Sequence, residues 1–374
     1  MIQLGFLLRA SDLATEWLIY FMVVFSPWAF GTTQPWSIQI MNGAGYLLGG
    51  LLATKCLLRW LRSRRPQDRP VHNDIDQRRS PGRIPRWPTA LLAGLTALIL
   101  GYCLISALNA RATLLRAEWR LAYHNYFAWL PHSYDSISTW QSFWNYLALA
   151  CAFWAIVDWI SVGPVEHFEI NSPARGDATS RTFLPAHVRR LLWILCVNGA
   201  LLALEGILQR TSGTGKLLWV IEPRVHKEAA TEFGPYAYRS NAAQYFTLLW
   251  PLALGFWWLQ NRAARFQPRP GSTHHLLLPC VMLMAACPLI SLSRAGAIIG
   301  LGGIVAAVGI LAFARRTHWK EKFGLLLFLA AILFFAWYAG WLDLARRFNE
   351  MNREWDPSRV KLWQTTLQIG RAHV

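Results

Sequence analysis

The sequence predicts an all-α, polytopic membrane protein with about nine transmembrane helices. Three observations predict it. Of the 374 residues, 54% are hydrophobic, and the mean hydropathy is +0.25. The apolar residues gather in continuous runs of roughly 18–22, the length a helix needs to cross a hydrocarbon core of about 30 Å. The runs do not alternate in polarity as the strands of a membrane barrel do.

The first span is read over residues 13–30. No small-residue cleavage site follows it, so it is expected to be retained. The second span covers 38–60. Segment 61–88 then carries Arg62, Arg64, Arg65, Arg69, Arg78, Arg79, Arg83 and Arg86 among Pro and Asp residues, the composition of a disordered cytoplasmic loop. The third span, 89–109, leads into 110–142, where Tyr123, Tyr126, Phe127 and Trp129 suit the membrane interface. The remaining spans are read at 143–162, 190–209, 241–260, 275–292, 296–314 and 323–341.

Lys and Arg set the orientation. With the N-terminus cytoplasmic, the inner segments are 1–12, 61–88, 163–189, 261–274 and 315–322. They hold the larger share of the 37 Lys and Arg. The bias is shallow, so the basic residues outside call for a reason. Outer segment 210–240 holds Arg210, Lys216, Arg224, His226, Lys227 and Arg239, against Glu222, Glu228 and Glu232. Outer segment 342–368 holds Arg346, Arg347, Arg353, Arg359 and Lys361.

Several function classes drop out. The net charge of +17 does not mark a nucleic-acid binder, because the basic residues lie in loops between spans and form no soluble basic domain. No phosphate-binding G-x-x-x-x-G-K-[ST] loop is present to serve nucleotide hydrolysis. The six cysteines (Cys56, Cys103, Cys151, Cys196, Cys280 and Cys287) lie in apolar spans without metal-ligand spacing and read as buried packing residues. His274 and His275 have no further ligands nearby in sequence, and His124 and His132 read as interfacial.

Arg239 and Arg294 are the most informative residues. Each lies at the outer end of an apolar span, where a cation is costly unless it meets an anion. Arg294 lies in Ser291-Leu292-Ser293-Arg294-Ala295-Gly296, a turn with almost no loop. The guanidinium fork matches phosphate oxygens two at a time. Arg239 follows the Gly234-Pro235 turn, and Ser240 or Asn241 is placed to cap the next helix, whose N-terminus also favours anions. A snorkelling helix-end arginine is the alternative at both positions. His226 and Glu222 are candidates for proton transfer. Glu205 is the one acid well inside the outer half of a span, and pairing with Arg210 is the expected reading.

Three blocks share a pattern. Leu204-Glu205-Gly206-Ile207-Leu208-Gln209-Arg210, continuing to Trp219, is one. Phe233-Gly234-Pro235-Tyr236-Ala237-Tyr238-Arg239-Ser240-Asn241, continuing to Tyr245, with Pro251 in the next span, is the second. Ser291 to Gly296 is the third. In order and on the outer side, they resemble the motifs of the O-antigen ligase and O-antigen polymerase superfamily over roughly residues 195–315.

The resemblance implies a GT-C-like, metal-independent glycosyltransferase of the bacterial inner membrane that needs no cofactor. Its donor would be a glycan on undecaprenyl pyrophosphate. Its acceptor, on the periplasmic face, would be lipid A–core or a growing polysaccharide, as in lipopolysaccharide biosynthesis. Carried over by position, Arg239 and Arg294 would be the catalytic pyrophosphate-binding pair. Arg210, Lys216, Arg224, His226, Asn241 and Arg359 would contact the pyrophosphate or glycan. The family's usual base is a histidine in the outer loop that Arg359-Val360-Lys361-Leu362-Trp363 resembles in its opening.

Ile369-Gly370-Arg371-Ala372-His373-Val374 matches the translation of a common sequencing-adapter sequence. The expectation is therefore a single integral-membrane domain over 1–368, truncated and inactive alone, with a foreign tail at 369–374, so that His373 is not the base. Ligase, polymerase and protein O-glycosylation ligase stay open within the family. A lipid-linked glycan flippase is the rival class, which predicts charges along a path through the bilayer. A non-catalytic membrane scaffold, indifferent to loss of either arginine, is the third reading.

Overall fold

The computed structural model describes residues 2–63, 86–115, 117–162, 184–222, 232–266, 273–313 and 361–366, with scattered residues between 323 and 337. The chain divides into two compact units, Met1–Leu191 and Leu192–Val374. The protein is predominantly helical. Four helical stretches are long and apolar enough to cross a membrane: Trp87–Leu108, Ser136–Ser161, Ala186–Ser212 and Thr273–Ile290. Arg294–Ala307 is a shorter apolar helix. This is the make-up of a membrane-embedded protein.

The first unit holds helices α1 (Ile2–Trp28), α2 (Pro35–Ser63), α3 (Arg86–Leu108) and α4 (Ser136–Val162). A 3-10 turn, Phe30–Thr32, joins α1 to α2. The closest seam runs between α2 and α4, and glycine makes it possible. A Cβ on Gly45 would lie 2.6 Å from the Ala148 carbonyl oxygen, and one on Gly49 would lie 2.6 Å from Cys151 Sγ. Gly45 and Gly49 are one helical turn apart, the small-xxx-small spacing that lets membrane helices touch backbone to backbone. Polar contacts fix the register. Asn42 Nδ2 donates to Asn145 Oδ1 at 2.7 Å, and Tyr46 OH donates to the Trp144 carbonyl at 2.8 Å.

Lys55 is fully buried on the same seam, 3.2 Å from Asp12 of α1 and 3.4 Å from Asp158 of α4. Arg59 grips Asp158 with two hydrogen bonds, at 2.6 and 3.1 Å. A buried cation needs such partners, because an unpaired charge out of water costs several kcal/mol.

The expectation of a purely helical chain needs one addition. Between α3 and α4 lies a hairpin, β1 (Ala112–Leu115) antiparallel to β2 (Arg120–Tyr123), pairing Leu114 with Leu121. The short β-rich run Ala-Thr-Leu-Leu is too brief to stand out beside 20-residue spans.

The second unit contains most of α5 (Ala186–Ser212), then α6 (Arg239–Phe266), α7 (Leu277–Ile290, entered through the 3-10 turn Thr273–Leu276) and α8 (Arg294–Phe313). Small residues again set the spacing. A Cβ on Gly199 of α5 would collide with Leu249 of α6 and Met284 of α7. A Cβ on Gly300 of α8 would lie 2.8 Å from Pro288 of α7.

Eight of the nine expected intervals coincide with these helices, and the ninth, 323–341, lies mostly outside the described residues. α1, α2 and α6 do not have the apolar composition of the four spanning stretches. Glu16, Asn42 and Gln244 are among the polar residues that dilute them. Buried packing holds for Cys196 and Cys287, whereas Cys56 is exposed and Cys103, Cys151 and Cys280 are half-buried. Length and hydropathy locate a cysteine in a helix without saying which side of the helix it occupies.

Candidate functional site

Two helices begin side by side in the second unit. Ser293 caps α8 by accepting a hydrogen bond from the Gly296 N–H on its Oγ at 3.3 Å, the usual cap to the third residue of a helix. Its carbonyl takes the Ala297 N–H at 2.8 Å. Ser293 Oγ also lies 3.4 Å from Ser240 Oγ in the first turn of α6. Three residues on, Gly296 meets Ala243 so closely that a Cβ at position 296 would collide with the Ala243 methyl. The starts of α6 and α8 are therefore in contact. Arg239 and Arg294, the first residue of each helix, flank that contact by one peptide unit apiece.

Arg294 is exposed, and Arg239 is half-buried. The two helix N-termini, each beginning at an arginine, lie together at one end of the second unit. Free N–H groups and aligned peptide dipoles give each N-terminus a partial positive charge.

The turn before α6 is held from below by α5. Phe233 and Tyr236 exchange backbone hydrogen bonds at 2.9 and 3.1 Å, closing a tight turn. Gly234 sits at φ +59°, which a side chain rarely adopts. Its N–H donates to Gln209 Oε1 at 2.6 Å, and Gln209 Nε2 donates to the Lys216 carbonyl at 2.8 Å. Gln209 is buried, so one amide ties the loop after α5 to the turn that carries Arg239. The sequence reading missed this clamp. Its only signal was the place of Gln209 in the first motif block. Gly206 makes the approach possible, because a Cβ there would meet the Phe233 ring.

The other expected residues divide. Arg210 is half-buried in the last turns of α5. Lys216 pairs with Glu222 at 3.5 Å, both largely exposed, which occupies the two charges on each other. Asn241 is exposed, and its N–H donates to the Tyr238 carbonyl at 3.0 Å. It does not cap α6, and neither does Ser240, because the helix starts before them at Arg239. Glu205 is buried, and neither carboxylate oxygen has a hydrogen-bond partner among the described residues. The expected bond to Arg210 is therefore not formed. Glu205 lies instead against the bare Cα of Gly234. Arg224, His226 and Arg359 lie outside the described residues.

Comparison with family models, with curated proteins and with solved structures finds no match to this chain. The functional reading therefore rests on the site itself and on the motifs around it.

Proposed function

We propose that the chain is a GT-C-like membrane glycosyltransferase of the O-antigen ligase superfamily, with about nine spans and its N-terminus cytoplasmic. It transfers a glycan from undecaprenyl pyrophosphate to an acceptor on the periplasmic face of the bacterial inner membrane. The single observation that supports this most is the contact between the starts of α6 and α8, which seats Arg239 and Arg294 at one place.

The chemistry accounts for the arrangement. The acceptor hydroxyl oxygen attacks the anomeric carbon, and the bond from that carbon to the pyrophosphate oxygen breaks. The hydroxyl proton passes to a base, and the electron pair stays on the lipid pyrophosphate. Negative charge on the leaving group grows along this path, so fixed cations and N–H groups aimed at it lower the barrier. A forked guanidinium matches two phosphate oxygens at once. Lipid A–core or a growing polysaccharide is the acceptor in this reading. A polymerase or a protein O-glycosylation ligase of the same superfamily would differ in the acceptor alone.

Binding of undecaprenyl pyrophosphate to the purified chain in nanodiscs tests the anion half directly. Arg239→Ala and Arg294→Ala are each expected to abolish it while leaving membrane insertion intact. Undiminished binding by both variants would remove the proposed site.

A lipid-linked glycan flippase is the second reading, and one observation favours it. Lys55 is a fully buried cation inside a helix, the type of residue a path through the bilayer uses. Its two carboxylate partners satisfy it in place. Lys55→Met that abolishes lipid translocation in vesicles, with Arg294→Ala silent, would decide for the flippase.

A further inference from the structure

The segment between α3 and α4 is a built module. Asn109, one residue beyond α3, turns the chain back on itself. Its Nδ2 donates to the carbonyls of Phe127, Pro131 and Leu130 at 2.8, 3.3 and 3.5 Å, and its Oδ1 accepts the Phe127 N–H at 2.7 Å. Asp135, one residue before α4, accepts the N–H groups of Leu114, Ser138 and Ile137 at 3.0, 3.1 and 3.3 Å. Between these anchors, the Arg111 guanidinium lies over the rings of Tyr126 and Tyr134, 4.8 Å from each centroid.

This fixed scaffold exposes its largest apolar groups. Trp119 is 86% exposed, Trp129 80%, Tyr123 75% and Phe127 64%. Trp119 is at the hairpin turn with φ +51°, a left-handed conformation that a bulky residue holds only against strain, and such strain concentrates at working sites. The pairing register puts Ala112, Leu114, Leu121 and Tyr123 on one hairpin face. Thr113, Leu115, Arg120 and Ala122 lie on the other.

What covers the apolar face follows from where the module is rooted. α3 and α4 both have the length and composition of membrane spans. Only three residues, 109–111, separate α3 from β1, and the Asp135 side chain ties β1 to the first turn of α4. The module therefore emerges where the two spans leave the hydrocarbon. A four-residue strand is about 13 Å long. A headgroup layer is roughly 5–8 Å deep, too shallow for the hairpin to stand upright within it. Tryptophan and tyrosine rings rest at this level, and leucine beside them suits acyl chains rather than sugars.

We propose that the β1–β2 hairpin is an interfacial foot. It lies flat on the membrane that α3 and α4 cross, with the Leu121 and Tyr123 face and the tip Trp119 set among phospholipid headgroups. The foot fixes the height of both helices in the bilayer. It does so whatever reaction the second unit performs.

Photo-crosslinking tests it in the full chain, reconstituted into vesicles of phosphatidylethanolamine and phosphatidylglycerol. p-Benzoylphenylalanine in place of Trp119, Tyr123 or Trp129 is expected to give phospholipid adducts by mass spectrometry. The same group in place of Arg120, on the opposite face, is expected to stay at background. Trp119→Gly, which removes the strain, serves as the folding control: with the crosslinker kept at 129, adducts there are expected to fall while protease protection of α3 and α4 persists. No adducts at 119, 123 and 129, with both helices protected, would overturn the proposal. Adducts blocked by an added glycan would overturn it too, and would mark the hairpin as a sugar-binding surface.

Discussion

Ser240 Oγ and Ser293 Oγ lie 3.4 Å apart, although 53 residues separate them in the chain. That contact brings together the starts of the two helices whose first residues are Arg239 and Arg294. Its tolerance of change is set by Gly296 and Ala243, which close the helices just below. Gly296→Val puts a branched side chain where even a Cβ collides. It is expected to cost about 1–3 kcal/mol of stability through overpacking. It should also weaken pyrophosphate binding, read by thermal unfolding and ligand titration on the same sample. A variant that loses stability but binds normally would separate the contact from the site.

The arginines are expected to resist conservative exchange. Arg239→Lys and Arg294→Lys keep the charge but lose the fork. Each forfeits a charge-assisted hydrogen bond of about 1.5–3 kcal/mol, a weakening of roughly 10–150-fold. Titration with the lipid pyrophosphate measures it. Lysine variants that bind as well as the parent would show that charge alone matters.

Gln209 is expected to matter more than its neutral side chain advertises. Gln209→Ala leaves the Gly234 N–H and the Lys216 carbonyl without their partner. That costs about 1–3 kcal/mol. Gln209→Glu keeps an acceptor for Gly234 but has no donor for Lys216. Amide exchange is expected to quicken at residue 234 in the alanine variant and not in the glutamate variant.

Asp135 supplies a pH dependence with a definite sign. The Ser138 hydroxyl first, then the N–H groups of Leu114, Ser138 and Ile137, hold its carboxyl below the ordinary range. A carboxyl with a depressed native pKa contributes stability that is present above its unfolded pKa. That contribution is lost as pH falls through the native one. Asp135→Asn is expected to lower stability at pH 7 and above, where the ionised carboxyl contributes in full, and to change little below the native pKa, so that the acid limb of the unfolding profile flattens. Equal slopes in parent and variant would contradict the assignment.

Lys55→Met tests the ion network of the first unit. Removing Lys55 leaves Asp12, which is half exposed, without its lysine, while Asp158 keeps Arg59, so the cost is expected to fall below the roughly 3–5 kcal/mol of a fully buried pair. The double variant Lys55→Met with Asp12→Asn is expected to recover part of that loss. Chemical denaturation of the parent, both single variants and the double variant checks it, and strict additivity would rule the coupling out.

The sequence made the helices legible because long apolar runs have few alternatives. It also singled out Arg239 and Arg294, because a cation at a span end stands out against apolar neighbours. It did not reveal that their helices touch, since that depends on Gly296 facing Ala243, and a glycine in a helix declares no direction. Glu205 and Arg210 looked like a pair on spacing alone. The turn at Gly234 came down over the carboxylate instead. Gln209 was invisible as a clamp, because nothing local marks which backbone groups an amide will reach. The hairpin escaped because two four-residue strands carry too little pattern beside long spans.

The Gly45 and Gly49 seam has a consequence for the order in which the first unit is made. α2 leaves the ribosome long before α4, so its glycine face and Lys55 wait for a partner. Asp12, already synthesised, is 43 residues from Lys55, while Arg59 and Asp158 are 99 apart. The early carboxylate acts as a stand-in, neutralising the lysine until the late one arrives. A nascent chain arrested before residue 136 is expected to form the Asp12–Lys55 contact already, which crosslinking between cysteines placed beside those two positions, with both charged residues kept, would register. Asp12 is thus an assembly residue: its greatest service falls in the interval before the finished unit exists.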